Sequence, residues 1–171
     1  MAQPDPPLLL GVDPGLANTG WAVVDGRLQV VASGTIRTNP GPPVPRLVHL
    51  LAELRKVLAT YPVQEAALEE LFLGRNASSA IGVAQARGAV LAALGEAGLE
   101  VHEYKPNHVK SVITGYGMAG KTQMGRMLGL QLADLSGRDH HAVDAVAIAI
   151  CHARTRRVTK ATHGLAARPA P

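Results

Sequence analysis

The sequence predicts a mixed α/β domain, a five-stranded sheet flanked by helices, on three observations. The apolar run Leu8-Leu-Leu-Gly-Val12 ends in Asp13 and breaks at Pro14-Gly15. It is too short for a helix and lacks alternation, so it reads as a strand buried on both faces. Further strand-like stretches at residues 19–25, 28–38, 64–72 and 99–104 are interleaved with stretches of helical period from Leu47 onward. A chain of 171 residues suffices for one domain with its own core, and no internal repeat or linker divides it.

The first strand places Asp13 at its C-terminal tip, where crevices of α/β sheets commonly bind ligands. A charge on so buried an element needs a partner, and an acidic site there suggests a metal ion, although Asp also caps turns. Residues 19–25 alternate roughly, and Asp25-Gly26 reads as a hairpin turn into 28–38, so three antiparallel strands open the domain. Residues 39–45 form a Pro/Gly loop. Leu47, Leu50, Leu51, Leu54 and Leu58 then recur at helical spacing, until Tyr61-Pro62 stops the helix near Thr60.

The fourth strand holds Glu69 and Glu70, which as neighbours point to opposite faces, so only one can share a pocket with Asp13. Residues 77–97 read as a long helix rich in Ala and Gly, capped by Ser78 or Ser79. Such small side chains would let another backbone approach closely. A short strand at 99–104, a helix at 106–113, a glycine-rich turn at 115–120 and a helix from Lys121 follow. Asp139 is placed to cap a last helix running to about Arg154, with Val143, Ala147, Ile148 and Cys151 as core contacts. Cys151 reads as a small core residue rather than a nucleophile.

Composition narrows the functional classes. The lone cysteine excludes an internal disulfide framework and fits a reducing cytosol. No apolar run reaches membrane-spanning length, and the Pro-rich start lacks the regions of a signal peptide, so a cytoplasmic protein is expected. Five of the 17 Lys and Arg residues follow residue 153 with no acidic residue among them; the other twelve face all 13 Asp and Glu. The expected organisation is a domain over 8–155, between a disordered 1–7 and a basic, disordered tail at 156–171. Nucleic-acid binding would therefore need local clustering, for which Arg75, Arg87, Lys105, Lys110, Lys121 and Arg126 are available, against Glu96, Glu100 and Glu103.

The last helix opens Asp139-His-His-Ala-Val-Asp144. His141 and Asp144 are three apart, His140 and Asp144 four apart, so each pair shares a helical face and can hold one metal ion; taken alone, a polar first turn is the better explanation.

Taken in order, Gly11-Val-Asp-Pro-Gly15, Ala-Leu-Glu69, Asn76-Ala-Ser-Ser-Ala80, Gln85-Ala-Arg-Gly88, Lys105-Pro-Asn-His-Val-Lys110, Gly115-Tyr-Gly-Met-Ala-Gly-Lys121 and Asp144-Ala-Val-Ala-Ile-Ala-Ile150 resemble the RuvC family of bacterial Holliday-junction resolvases, over residues 8–153. The resemblance implies a ribonuclease H-like fold and a homodimeric endonuclease that nicks two opposing strands of a four-way DNA junction with two divalent ions. Asp13, Glu69 and Asp144 fall on three of the family's four acidic positions, and His141 stands at the fourth. Lys110 and Lys121 correspond to basic residues near the scissile phosphate, and Phe72 to an aromatic inserted at the junction, although a plain core Phe is the alternative. Arg75, Asn76, Arg87 and Lys105 complete the implied DNA contacts. The 77–97 helix would form the dimer core, and the branch-migration proteins RuvA and RuvB are possible partners.

Two metals about 4 Å apart serve in-line phosphodiester hydrolysis, and carboxylates bind hard cations while leaving positions open. An imidazole in the set favours Mn²⁺ over Mg²⁺ and predicts activity falling as pH drops through roughly 6–7, since a protonated ring cannot coordinate. His140 competes for that role. Gly115-x-x-x-x-Gly120-Lys121-Thr122 also matches a P-loop, making an ATPase one rival; that motif requires a buried strand before it. An actin-like or sugar-kinase ATPase would need a second core, and a non-catalytic junction binder would have no need of the acidic set.

Overall fold

The structure, a computed structural model, describes residues 6–71, 77–131 and 137–166, apart from the side chains of 77–79, 121, 131 and 158–166. Its elements are β1 (Leu8–Asp13), β2 (Asn18–Asp25), β3 (Val30–Arg37), α1 (Pro43–Thr60), β4 (Glu65–Glu69), α2 (Ala77–Glu96), β5 (Glu100–Tyr104), α3 (Pro106–Thr114), α4 (Lys121–Gln131) and α5 (His140–Ala166). They form the predicted five-stranded mixed sheet, in the order β3-β2-β1-β4-β5. β1, β2 and β3 pair antiparallel, while β4 and β5 run parallel to β1.

β1 is the central strand, and its alternation decides what each face carries. Leu10 and Val12 pack with Leu50, Leu54, Val90 and Leu94 of α1 and α2. Leu9 packs on the other face with Ala145, Val146 and Ile150 of α5, and with Val109 and Leu128 of α3 and α4. By the same period Gly11 and Asp13 point toward α5. On β4, Ala66 and Leu68 belong to the α1/α2 side, which leaves Glu65, Ala67 and Glu69 facing α5. Of the two adjacent carboxylates it is therefore Glu69 that looks the same way as Asp13.

α5 lies unusually close to the sheet because two strands carry glycine where it crosses. A Cβ on Gly20 would overlap the carbonyl oxygen of His141, and one on Gly11 would overlap that of Ala145 and sit 2.6 Å from the Ala149 amide nitrogen. Glycine inside a strand is the residue that admits such an approach. The helix start is fixed from outside as well. Asp139 accepts hydrogen bonds from the Ala142 amide (3.0 Å) and from the Thr35 hydroxyl (2.6 Å), and it pairs with Arg37, so the predicted cap also ties α5 to β3. These bonds, the Thr35 hydroxyl foremost, hold the Asp139 carboxyl below its ordinary range.

The structure departs from the sequence expectations at three places in the fold. α1 begins at Pro43, inside the expected loop, because proline is accepted in a helix's first turn, where its missing N–H has no partner to lose. The β2–β3 turn is not built on Gly26: the Asp25 carboxylate accepts the amides of Arg27 (2.9 Å) and Gln29 (2.8 Å), and Leu28 takes the left-handed position with φ 71°. The helix expected at 106–113 is present as α3, capped by Gly115 with φ 78°, so no strand precedes the glycine-rich turn and the rival P-loop reading fails on its own requirement. α5 continues past Arg154 to Ala166, into the stretch expected to be a tail, held by Arg154 on the Val112 carbonyl (2.8 Å) and Arg156 on Glu65 (2.6 Å). Cys151 is fully buried as expected, and burial pushes its thiol up to about 11, so it is no nucleophile near neutral pH. No helix among the described residues is long and apolar enough to cross a membrane.

Candidate active site

Asp13 ends β1, and Glu69 ends the neighbouring parallel strand one step beyond the Val12–Leu68 register pair. Both carboxylates thus stand at the C-terminal rim of the sheet, side by side on the α5 face. α5 begins directly above them. Its first turns supply His141, whose Nδ1 lies 3.4 Å from Asp13 Oδ2, and Asp144. These four side chains line one cavity of about 420 Å³, together with Lys110 from α3. Pro106, Val109, Met124, Ala147 and Ile148 make its apolar wall.

The site is half open. The side chains of Asp13 and His141 are 29% and 26% exposed, so water and a phosphate can reach them. His140 also borders the cavity but is exposed, its ring tilted by 39° against the His141 ring at 4.0 Å between centroids. Of the two rings, it is His141 that contacts Asp13.

Arg87 lies elsewhere than the sequence places it. Rather than joining a basic surface, it is 9% exposed, donates to the Glu69 backbone carbonyl (2.7 Å), and pairs with Glu103 (2.7 Å). Its guanidinium thus holds the end of β4 from beneath Glu69. With Pro14, Glu70 and Val83 it also borders a smaller recess behind Asp13 and Glu69. Lys105 is exposed beside the start of α3, outside the main cavity. Lys121 opens α4, with its side chain outside the described residues, as are Phe72, Arg75 and Asn76 altogether. Sequence reasoning missed Gly20 and the apolar wall. An isolated glycine in the alternating stretch 19–25 was the available signal for the first.

A mixed sheet in this order, with carboxylates at the tips of adjacent parallel strands and a helix laying an imidazole and a third carboxylate across them, is the arrangement of the ribonuclease H-like class. The family described as "Crossover junction endodeoxyribonuclease RuvC" matches residues 9–152. The chain belongs to the RuvC family and is a crossover junction endodeoxyribonuclease, a Holliday-junction resolvase. It is 46% identical over 151 residues to the RuvC of Chloroflexus aurantiacus, covering 85% of this chain and 92% of that one. It is 43% identical over 152 residues to the RuvC of Pelotomaculum thermopropionicum, at 85% and 92% coverage. Among solved structures, Thermus thermophilus RuvC in complex with Holliday junction substrate superposes with a TM-score of 0.82 at 34% identity, over 89% of this chain and 96% of that one. The yeast mitochondrial Holliday junction resolvase shares the fold at a TM-score of 0.67 and 13% identity, over 92% and 82%.

Proposed function

We propose that a homodimer of this chain cuts four-way junctions by two symmetric nicks near the crossover, with Asp13, Glu69, His141 and Asp144 as the metal ligands of each subunit. The observation that carries the reading is their convergence, with Lys110, in one cavity of about 420 Å³. Three carboxylates and one imidazole form a donor set suited to divalent cations. Divalent metal, when bound, supplies Lewis-acid charge at the phosphate and lowers the pKa of an attacking water.

The remaining work falls to the chain's own groups. Asp13 and Glu69 are fixed by strand backbone rather than by a loop, and Arg87 holds the Glu69 carbonyl. That rigidity sets where a scissile phosphate must sit. The Lys110 ammonium at the cavity wall offsets phosphate charge that grows as the leaving oxygen departs. The apolar wall keeps the local dielectric low, so that charge counts for more than it would in water. Lys121 from the next helix is assigned the same role by its family position, and Phe72, Arg75, Asn76 and Lys105 are assigned to the junction arms. RuvA and RuvB are the proposed partners, in the cytoplasm.

α2 supports the dimer. Its inner face buries Ala86, Val90, Ala93 and Leu94, while Ile81, Ala84, Gly88 and Ala92 are exposed. A Cβ on Gly88 meets nothing within 4 Å. Gly88→Glu is therefore expected to fold normally and sediment as a monomer at micromolar concentration, where the unmodified chain sediments as a dimer. On a synthetic mobile junction with each strand labelled in turn, the dimer should leave nicks at symmetry-related phosphates. Nicks confined to one strand, or cutting undiminished by a chelator, would overturn the reading.

His141 sets the proposed metal preference. A neutral nitrogen replaces one oxygen anion, and Mg²⁺ loses most by that exchange. Cutting should be about tenfold faster in Mn²⁺ than in Mg²⁺ at equal concentration, and His141→Asp should narrow the gap. A rate ratio that His141→Asp leaves unchanged would remove His141 from the ligand set.

A further inference from the structure

β4 turns a second carboxylate toward α5. Glu65 stands at the strand's other end from Glu69, on the same face, in register with Glu100 of β5. Carboxylates placed directly across neighbouring strands repel unless something cationic lies between them. Around Glu65 gather two imidazoles: its Oε2 is 3.1 Å from Nε2 of His152 on α5 and 3.6 Å from Nε2 of His102 on β5. The His102 Nε2 is also 3.4 Å from Glu100 Oε1. The two rings stack at 4.5 Å between centroids. His152 is 1% exposed, and Nε2 of His102 is buried without a hydrogen-bond partner.

We propose that Glu65, His102 and His152 form a structural site for a single Zn²⁺ ion, with Glu100 as the fourth donor from the solvent side. One ligand atom from each of the first three lies within 4.8 Å of the others. Zinc with ligand bonds of about 2.0–2.2 Å puts tetrahedral neighbours about 3.3 Å apart, close to the separations around Glu65 Oε2. The ion supplies the partner that the His102 Nε2 lacks, and it lies between Glu65 and Glu100.

The surroundings match what a histidine ligand requires. Nδ1 of His152 is 2.8 Å from the Tyr104 hydroxyl. With Nε2 on zinc, Nδ1 carries the proton and donates it to the Tyr104 oxygen, which fixes the ring's orientation. Arg156 binds the other oxygen, Glu65 Oε1, at 2.6 Å and orients the carboxylate with Oε2 toward the imidazoles. Its positive charge opposes a cation, and Glu100 is the second carboxylate that offsets it. The site lies about 12 Å along α5 from Asp144, since eight residues rise by that much. Zinc there would pin the helix carrying His141 and Asp144 to β4 and β5.

The test uses the full-length chain carrying Asp13→Asn, to weaken metal binding in the nuclease cavity, stripped with a chelator and titrated with ZnCl₂ alone. One tightly held zinc per chain is expected, with a melting temperature raised by roughly 5 °C at a hundredfold excess over Kd. His102→Asn on the same background should lose both the zinc and the shift, while without metal it melts within about 2 °C of its parent, as expected for a half-exposed strand position. Nitrogen-15 spectra of the parent's imidazoles read the site without relying on that variant. Zinc should move the Nε2 signals of His102 and His152. Zinc content unchanged by His102→Asn, no tight zinc in the parent, or signals moving only at His140 and His141 would each overturn the proposal.

Discussion

Asp13→Asn is expected to bind four-way junctions as the unmodified chain does and to cut them at least about 10³-fold more slowly, the loss typical of removing one preorganised charge from a reaction centre. The substitution keeps the size of the side chain, and β1 is anchored by Leu9, Leu10 and Val12, each 1% exposed or less, so the fold has no reason to change. What disappears is a negative charge at the strand tip, beside Glu69 and 3.4 Å from His141 Nδ1. Gel-shift titration and single-turnover cutting, both at one salt concentration, separate the two effects. Cutting at close to the normal rate would show that Asp13 is not a metal ligand.

Gly20→Ala should be nearly as damaging, although it adds only one methyl group, on the β2 residue paired with Asp13. That methyl would overlap the His141 carbonyl and lie 2.5 Å from its carbon, both rigid backbone atoms of α5. The helix start must lift. Overpacking of this kind costs about 3 kcal/mol, which for a domain of this size lowers the melting temperature by roughly 10 °C. A displacement near 1 Å at His141 and Asp144 should also slow cutting about 10²-fold at temperatures where the variant is still folded. Gly125→Ala is the control, since its added Cβ meets nothing within 4 Å on exposed α4, and it should gain up to about 1 kcal/mol. Differential scanning calorimetry and cutting rates on both variants check the pair.

What could be read from the residues follows from where the chain's punctuation lies. Asp13 stood out because Pro14-Gly15 ends its strand immediately, and Asp139 because a helix pattern starts after it. The choice of Glu69 over Glu70 came only through the family resemblance, because locally it depends on which side chains of β4 meet α1 and α2, a matter of pairing register. Arg87 was misplaced for a related reason. Its guanidinium reaches a carbonyl 18 residues away in the chain, and no local pattern distinguishes that from a solvated arginine. Leu28 was invisible as a turn residue because Gly26 beside it is the better left-handed candidate, and the Asp25 side chain overrules that preference. The end of α5 was misjudged because the apolar spacing read from the sequence stops near Arg154, while Arg154 and Arg156 tie the helix down through polar contacts that no spacing reveals.

The coupling of the first strand to the last helix also has a consequence in time. His141 meets Asp13 across 128 residues of chain, and Asp139 meets Thr35 across 104. A ribosome adding roughly 5–20 residues per second needs about 6 to 25 s between making those two site residues. Throughout that interval the face of the sheet bearing Leu9, Ala22 and Val24 lacks the helix that covers it, and Asp13 and Glu69 stand without His141 and Asp144. The nascent chain is therefore a sticky sheet before it is a nuclease. Until the last helix is made, the packing that buries Leu9, Ala22 and Val24 cannot form.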